Sequence, residues 1–133
     1  MSAADNDALG RRFFAEQDQL RGGPAEDLCA PGYTAEINAF PIMDWAGHHG
    51  FALGFYAAFP DAYHTIEDTV ASDSKVAVRF RIRGSHKGDF MGLPPSGRPV
   101  DVVATAVMHV VDGKVTSLCA VFDQATLMQQ LTA

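Results

Sequence analysis

The hydrophobic positions divide the chain into a helical first half and a strand-rich second half. Between Asp7 and Leu20, the residues Leu9, Phe13, Phe14, Gln17 and Leu20 recur near helical spacing, which predicts an amphipathic helix. Arg21-Gly22-Gly23-Pro24 ends it. A short helical turn from Pro24 to Leu28 is expected, because proline is tolerated in a first turn. Pro31-Gly32 breaks that turn, and Tyr33 to Asn38 reads as a short extended segment. Asp44 is a good N-cap for a second helix running from about Trp45 to Phe59. This helix is apolar on most sides, through Trp45, Phe51, Leu53, Phe55, Tyr56 and Phe59, and so predicts burial against a sheet. Pro60-Asp61 stops it.

Beyond that point the reading is β. Thr65 to Ala71 forms one expected strand. Val76 to Ser85 alternates Val76, Val78, Phe80 and Ile82 with Ala77, Arg79, Arg81 and Arg83, the period of a half-buried strand. Gly88 to Gly97 is a Gly/Pro-rich excursion carrying Phe90, Met91 and Leu93. Val100 to Val110 is a long β-branched run, which Asp112-Gly113 turns into a last strand from Lys114 to Phe122. A helical tail from Gln124 to Leu131 follows. Helices first and a meander of strands afterwards is an α+β order, unlike the βαβ alternation of a parallel sheet. One strongly curved antiparallel sheet wrapped on the N-terminal helices would bury the aromatic helix and enclose a pocket. With 133 residues and no repeat or linker, residues 1–133 read as a single cone-shaped domain.

Composition adds a cavity to this picture and removes several partners. Nine Phe, one Trp and three Tyr are a large aromatic supply for the size, so some rings must line a core or a cavity. A net charge of −6 and a pI near 5.1 argue against a nucleic-acid surface, which needs clustered Lys and Arg. No apolar run approaches the ~20 residues of a membrane helix. The acidic Met-Ser-Ala-Ala-Asp-Asn-Asp start lacks the regions of a secretory signal. Cys29 and Cys119 stand far apart without CxxC spacing, so a reduced, cytoplasmic setting is expected and a metal site is not.

Several segments then match a known pattern. Ala58-Phe59-Pro60-Asp61 closes the aromatic helix and Thr65-Ile66-Glu67-Asp68 opens the next strand. Gly84-Ser85-His86-Lys87-Gly88-Asp89-Phe90-Met91-Gly92-Leu93-Pro94-Pro95-Ser96-Gly97 follows Arg83, and Asp112-Gly113-Lys114-Val115 follows later. Phe122-Asp123-Gln124 and Leu127-Met128-Gln129-Gln130-Leu131 end the chain. Over roughly residues 7 to 131 the sequence resembles the SnoaL-like polyketide cyclases of the nuclear-transport-factor-2-like superfamily. The glycine-bounded stretch is the most specific part, with Ser85 and Ser96 where Thr is commoner. The resemblance implies a cone of curved antiparallel sheet plus helices and no cofactor. It also implies ring closure by intramolecular aldol condensation with an Asp as acid/base. The superfamily also holds isomerases, dehydratases, epoxide hydrolases and proteins with no demonstrated catalysis.

Asp123 is the first candidate for chemistry. It follows Val121 and Phe122, whose apolar surroundings would raise its pKa toward that of a working general base, and it matches the family's catalytic Asp. The competing reading is a simple cap for the tail helix. His109 is second. If Val111-Asp112-Gly113 is a three-residue loop, Val110 pairs with Lys114, and Thr105, Val107 and His109 share a face with Ser117, Cys119, Val121 and Asp123. The separation of His109 and Asp123 also fits the His/Asp pair of the type cyclases, although Val107 stands where those enzymes carry Gln. Asn38 and Glu36 lie two apart on an extended segment and could both face the pocket mouth, or be a turn Asn and a solvated Glu.

His86 sits in the strongest motif but beside loop architecture. In the tandem His48-His49, both rings cannot share one helix face, and His49 lies near Trp45 in helical phase. Phe40, Trp45, Phe55, Phe90, Met91 and Met108 are pocket-wall or core candidates, and Val107 and Cys119 join the wall on the His109 face. Arg79, Arg81 and Arg83 form a basic ladder, either solvated and paired with acids such as Glu67 or part of a water-activating set with Asp101 and Asp123.

Three functions remain open. The first is a cofactor-independent acid/base enzyme on an apolar oxygenated small molecule, with Asp123 as base and His109 or Asn38 holding the enolate oxygen. The second is an epoxide hydrolase or dehydratase, and the third a module that binds a small apolar ligand unchanged. A homodimer is also expected, through an outward face made apolar by Val102, Ala104, Ala106 and Met108.

Overall fold

The computed structural model describes residues 2–132. Three helices, α1 (Ala3–Leu20), α2 (Trp45–Ala58) and α3 (Gln124–Thr132), accompany five strands: β1 (Cys29–Ile37), β2 (Tyr63–Ala71), β3 (Lys75–Ser85), β4 (Pro99–Val111) and β5 (Lys114–Phe122). A single 3-10 turn, Glu26–Leu28, precedes β1. The sheet order is β1-β5-β4-β3-β2. Four strands form the expected antiparallel meander, while β1 lies parallel to β5, so the sheet is mixed and its edges stay open.

Helix starts follow local capping chemistry. Ser2 and Asp5 form a reciprocal capping box on α1, and the Asp44 carboxylate accepts from the Gly47 N–H at 2.8 Å. Helix α1 is the more deeply seated of the two long helices. Phe13 and Phe14 are buried against β3, where Val76, Val78 and Phe80 meet them in one core cluster. The C-terminal half of α2 and its C-cap Phe59 pack Ala52, Tyr56 and Phe59 against Val100 and Val102 of β4 and Leu127 of α3. The aromatic helix is therefore docked on the sheet through Tyr56 and Phe59, with Phe51 and Phe55 only half-buried.

The loop 86–98 is pinned where Lys87 and Gly88 donate backbone hydrogen bonds to the Ala58 carbonyl. A Cβ on Gly88 would stand 2.5 Å from the Ala57 carbonyl oxygen, which explains a glycine there.

Two bulges set which side chains face the helices. In β2 the pairing shifts between Ile66 and Asp68, leaving Glu67 as an extra residue; His64 and Ile66 then face inward, and so do Thr69 and Ala71. At the β4–β5 turn, Val111 pairs with Lys114 around a two-residue loop in which Asp112 and Gly113 both have positive φ. The expected three-residue loop is thus absent. A bulge at Thr116, just after Val115, restores the expected facing, so His109 pairs with Ser117 and Val107 with Cys119.

That shared face is the outer one, which corrects the expected geometry. Val100, Val102, Ala104, Ala106, Met108 and Val110 are all buried, whereas Asp101, Thr105 and His109 are exposed. The face expected to join two copies, through Val102, Ala104, Ala106 and Met108, is instead the inner wall of the core.

Candidate functional site

Between α1, α2 and the inner sheet face lies a cavity of about 80 Å³. Its sheet wall is apolar: Phe80 and Ile82 from β3, Val100, Val102 and Ala104 from β4, Leu118, Ala120 and Phe122 from β5. Phe51 and Phe55 of α2 flank it. Four polar side chains line it: Gln17, His48, Tyr56 and His64. All come from the two helices and from β2, so polarity is confined to one side.

His64 and Asp18 form a hydrogen-bonded dyad at this wall. The ring Nδ1 lies 2.7 Å from Asp18 Oδ1, and the His64 backbone N–H donates to Oδ2 at 2.8 Å. The Tyr56 hydroxyl donates to the same Oδ1 at 2.6 Å. Burial by itself would raise the Asp18 carboxyl, but the hydrogen bonds and charge of His64 and the Tyr56 hydroxyl outweigh it and hold the carboxyl below its ordinary value. Burial and the Asp18 carboxylate push the Tyr56 phenol well above its usual range, so it remains a donor. A carboxylate on Nδ1 fixes the neutral imidazole's proton there and leaves Nε2 as an acceptor. Among the described residues, Nε2 has no protein partner. Phe14 and Phe80 lie against the ring, each with centroids 5.2 Å away, and hold its plane.

His48 enters from α2. Its Nδ1 lies 2.9 Å from the Tyr33 hydroxyl, and only 3% of the residue is exposed. Burial, with a smaller push from His49, pulls its imidazole down to about 4. Gln17, on the apolar stripe of α1, is 7% exposed and its Oε1 has no hydrogen-bond partner among the described residues. A buried acceptor left open on a cavity wall is a group a ligand can satisfy. No group of three or more His, Cys, Asp or Glu residues gathers to hold a metal ion among the described residues.

The residues nominated from sequence fall mostly elsewhere. Phe55 lines the cavity as expected. Asp123 lies at the solvent surface and caps α3, accepting from the Thr126 N–H at 3.0 Å and its hydroxyl at 2.7 Å. Those bonds hold its carboxyl below the ordinary value, the reverse of the expected rise. His109, Val107 and Cys119 share the outer sheet face with Glu36, because β1 pairs in register with β5 there. Asp123 and His109 are therefore not brought together in the cavity.

Asn38 braces the end of β5, exchanging bonds with the Phe122 backbone at 2.8 and 3.3 Å. Trp45 and His49 stack on each other at 4.9 Å, anchored to the Pro24 carbonyl and the Gly23 N–H. This ties α2 to the preceding loop, outside the cavity lining. His86 is buried, with Nδ1 held by Ser96 and its ring against Phe59, so it pins the glycine-rich loop. Phe90 packs on Phe55 and Phe59, while Met91 is exposed. Phe40 rests on Phe51, and Met108 is core. The Arg79, Arg81 and Arg83 ladder pairs with Glu67 and Asp101 at the surface, so no Asp–Arg–Asp set reaches the cavity.

Asp18 and His64 escaped the sequence reading. His64 precedes a bulge that hides the strand period, and Asp18 sits beside the apolar stripe of α1 rather than on it. Gln17 was the available signal, a polar residue in the buried phase of a helix.

Comparison with known proteins accords with this architecture. AclR of Streptomyces galilaeus, a candidate hydroxylase, superposes with a TM-score of 0.89 at 24% identity, over 98% of each chain. IdmH of Streptomyces antibioticus, a candidate polyketide cyclase, gives 0.78 at 27% identity with both chains fully covered. A candidate SnoaL-like polyketide cyclase of Jannaschia sp. CCS1 gives 0.87 at 22% identity, covering 98% of this chain and 94% of that one. No curated protein sequence matches the chain. The family model for the SnoaL-like polyketide cyclases matches residues 11–131, and the chain belongs to that family.

Proposed function

We propose that this chain is a cofactor-independent acid/base enzyme that removes a proton α to a carbonyl on an apolar, oxygenated small molecule held in the cavity. The observation that carries this is the Asp18–His64 dyad, whose imidazole faces the apolar sheet wall across the cavity. His64 Nε2 takes the carbon-bound proton and the substrate becomes an enolate; Asp18 and Tyr56 orient the ring and stabilise the imidazolium. In a ring closure the enolate carbon bonds to a second carbonyl carbon, and the resulting alkoxide takes the proton back from His64. The step is then an isomerisation that consumes no co-reactant. Its product class is that of a polyketide cyclase, in line with the family.

The test is hydrogen–deuterium exchange at the α-carbon of 2-tetralone in D2O, followed by proton NMR. The wild-type protein accelerates exchange, and Asp18→Asn and His64→Gln each lose ~100-fold or more, the lower range for an acid/base group. Exchange equal to buffer in the wild type, or undiminished in both variants, rejects the reading.

A homodimer through the outer sheet face is the second proposal. A cross-strand row of Val70, Ala77, Val107 and Cys119 supports it, flanked by Val121, which is 62% exposed.

A further inference from the structure

Proton abstraction leaves negative charge on a carbonyl oxygen, and a base alone does nothing for it. The cavity wall carries a second imidazole that His64 does not use. His48 is fixed by packing and by one hydrogen bond: its ring lies within 13° of parallel to Tyr33, and Nδ1 meets the Tyr33 hydroxyl at 2.9 Å. Tyr33 is 2% exposed, and its hydroxyl has no other partner among the described residues. With the proton on Nδ1, the Tyr33 hydroxyl proton would be sealed in the core without an acceptor, whereas a proton on Nε2 lies on the ring of a residue that lines the cavity. The hydroxyl therefore donates and Nδ1 accepts, which puts the ring proton on Nε2. That nitrogen has no protein partner among the described residues, and the residue lines the cavity.

We propose that His48 is the oxyanion donor of this cavity, its Nε2–H fixed by Tyr33 and aimed at the carbonyl oxygen of an enolisable ketone. Resting on the His64 reading for its chemistry, it stands apart from that reading for binding. Burial keeps the ring neutral at pH 7, with an imidazole value of about 4. A neutral imidazole donates a hydrogen bond without surrendering its proton to the enolate, and a preorganised donor of this kind costs no reorganisation during reaction. Tyr33 is then a positioning residue, since it selects the tautomer from the far side of the ring.

Nitrogen-15 NMR of the imidazoles at pH 7 reads the tautomer directly, and 2-naphthol, whose hydroxyl oxygen sits where an enolate oxygen would lie, serves as the probe ligand. The expected result is a neutral His48 protonated at Nε2, whose Nε2–H resonance moves downfield on 2-naphthol binding. Tyr33→Phe, which keeps the ring, gives a mixed tautomer and weaker naphthol binding. His48→Phe lowers 2-tetralone exchange by ~100-fold, the loss typical for one oxyanion donor. A His48 protonated at Nδ1, or a resonance unmoved by 2-naphthol, overturns the proposal, as does full exchange in His48→Phe. Naphthol bound at His48 with no tetralone exchange in the wild type rejects the His64 base and leaves this assignment standing.

Discussion

Asp18 and Asp123 are the same side chain in two surroundings, and the surroundings decide their work. Asp123 sits in solvent and holds the first turn of α3. Asp123→Asn, which can still cap, is expected to leave 2-tetralone exchange within about twofold of wild type, while Asp123→Ala lowers the melting temperature and also spares exchange. Loss of exchange in Asp123→Asn would return the acid/base role to that residue. Asp18 is half-buried and accepts three hydrogen bonds, from His64 and Tyr56.

His48 makes stability depend on pH in a defined window. Its folded value of about 4 lies below the ordinary 6.5, so between these the unfolded chain binds a proton that the folded chain refuses. Stability from this residue is full above pH 6.5 and falls as pH drops toward 4, by about 3 kcal/mol in total. Urea denaturation of the wild type between pH 7 and 4 is expected to show this limb, and His48→Gln to flatten it. Asp18 adds a loss only below its ordinary 3.8, because its folded value is depressed. The two contributions are therefore separable by pH.

At the scale of elements, the chain announced its segments better than its faces. The last strand was legible to the residue, since Asp112-Gly113 before it and Pro-free β-branched sequence on both sides leave little choice. The inner face of β4 was also written in the pattern: positions 100, 102, 104, 106, 108 and 110 are uniformly apolar, while their neighbours include Asp101, Thr105 and His109. A His109–Asp123 pair inside the cavity runs against that parity, and the valines at 103 and 107 blur the contrast. The inward turn of His64 was not legible, because one extra residue at Glu67 breaks the alternation of β2 and no composition rule marks it. Burial of α1 was underrated too. Phe13 is fully buried between α1 and the sheet, and Phe13→Ala is expected to cost about 3–5 kcal/mol in denaturant unfolding, among the larger single losses for this core.

At the scale of the whole molecule, the outer sheet face carries a row of small apolar side chains beside a ladder in which three Arg pair with Glu67 and Asp101. Sedimentation at micromolar concentration is expected to give twice the 14.3 kDa chain mass, and Val107→Asp to return it to the monomer; a wild type that sediments as a monomer removes the dimer. The cavity poses the opposite problem, being too small as it stands. An engineered cavity that admits benzene measures about 150 Å³, so a ring-bearing ligand needs Phe51 or Phe55 to swing aside, and both are only half-buried.

The segregation of polar and apolar walls has a consequence for descent and redesign. Gln17, His48, Tyr56 and His64 come from the helices and β2, whereas the opposite, apolar wall comes from β3, β4 and β5. Substitutions at Val102, Ala104 or Ala120 can therefore enlarge or narrow the chamber while the proton-handling side chains keep their partners. A chain organised in this way can drift from one guest molecule to another by single steps, none of which passes through an inactive ancestor.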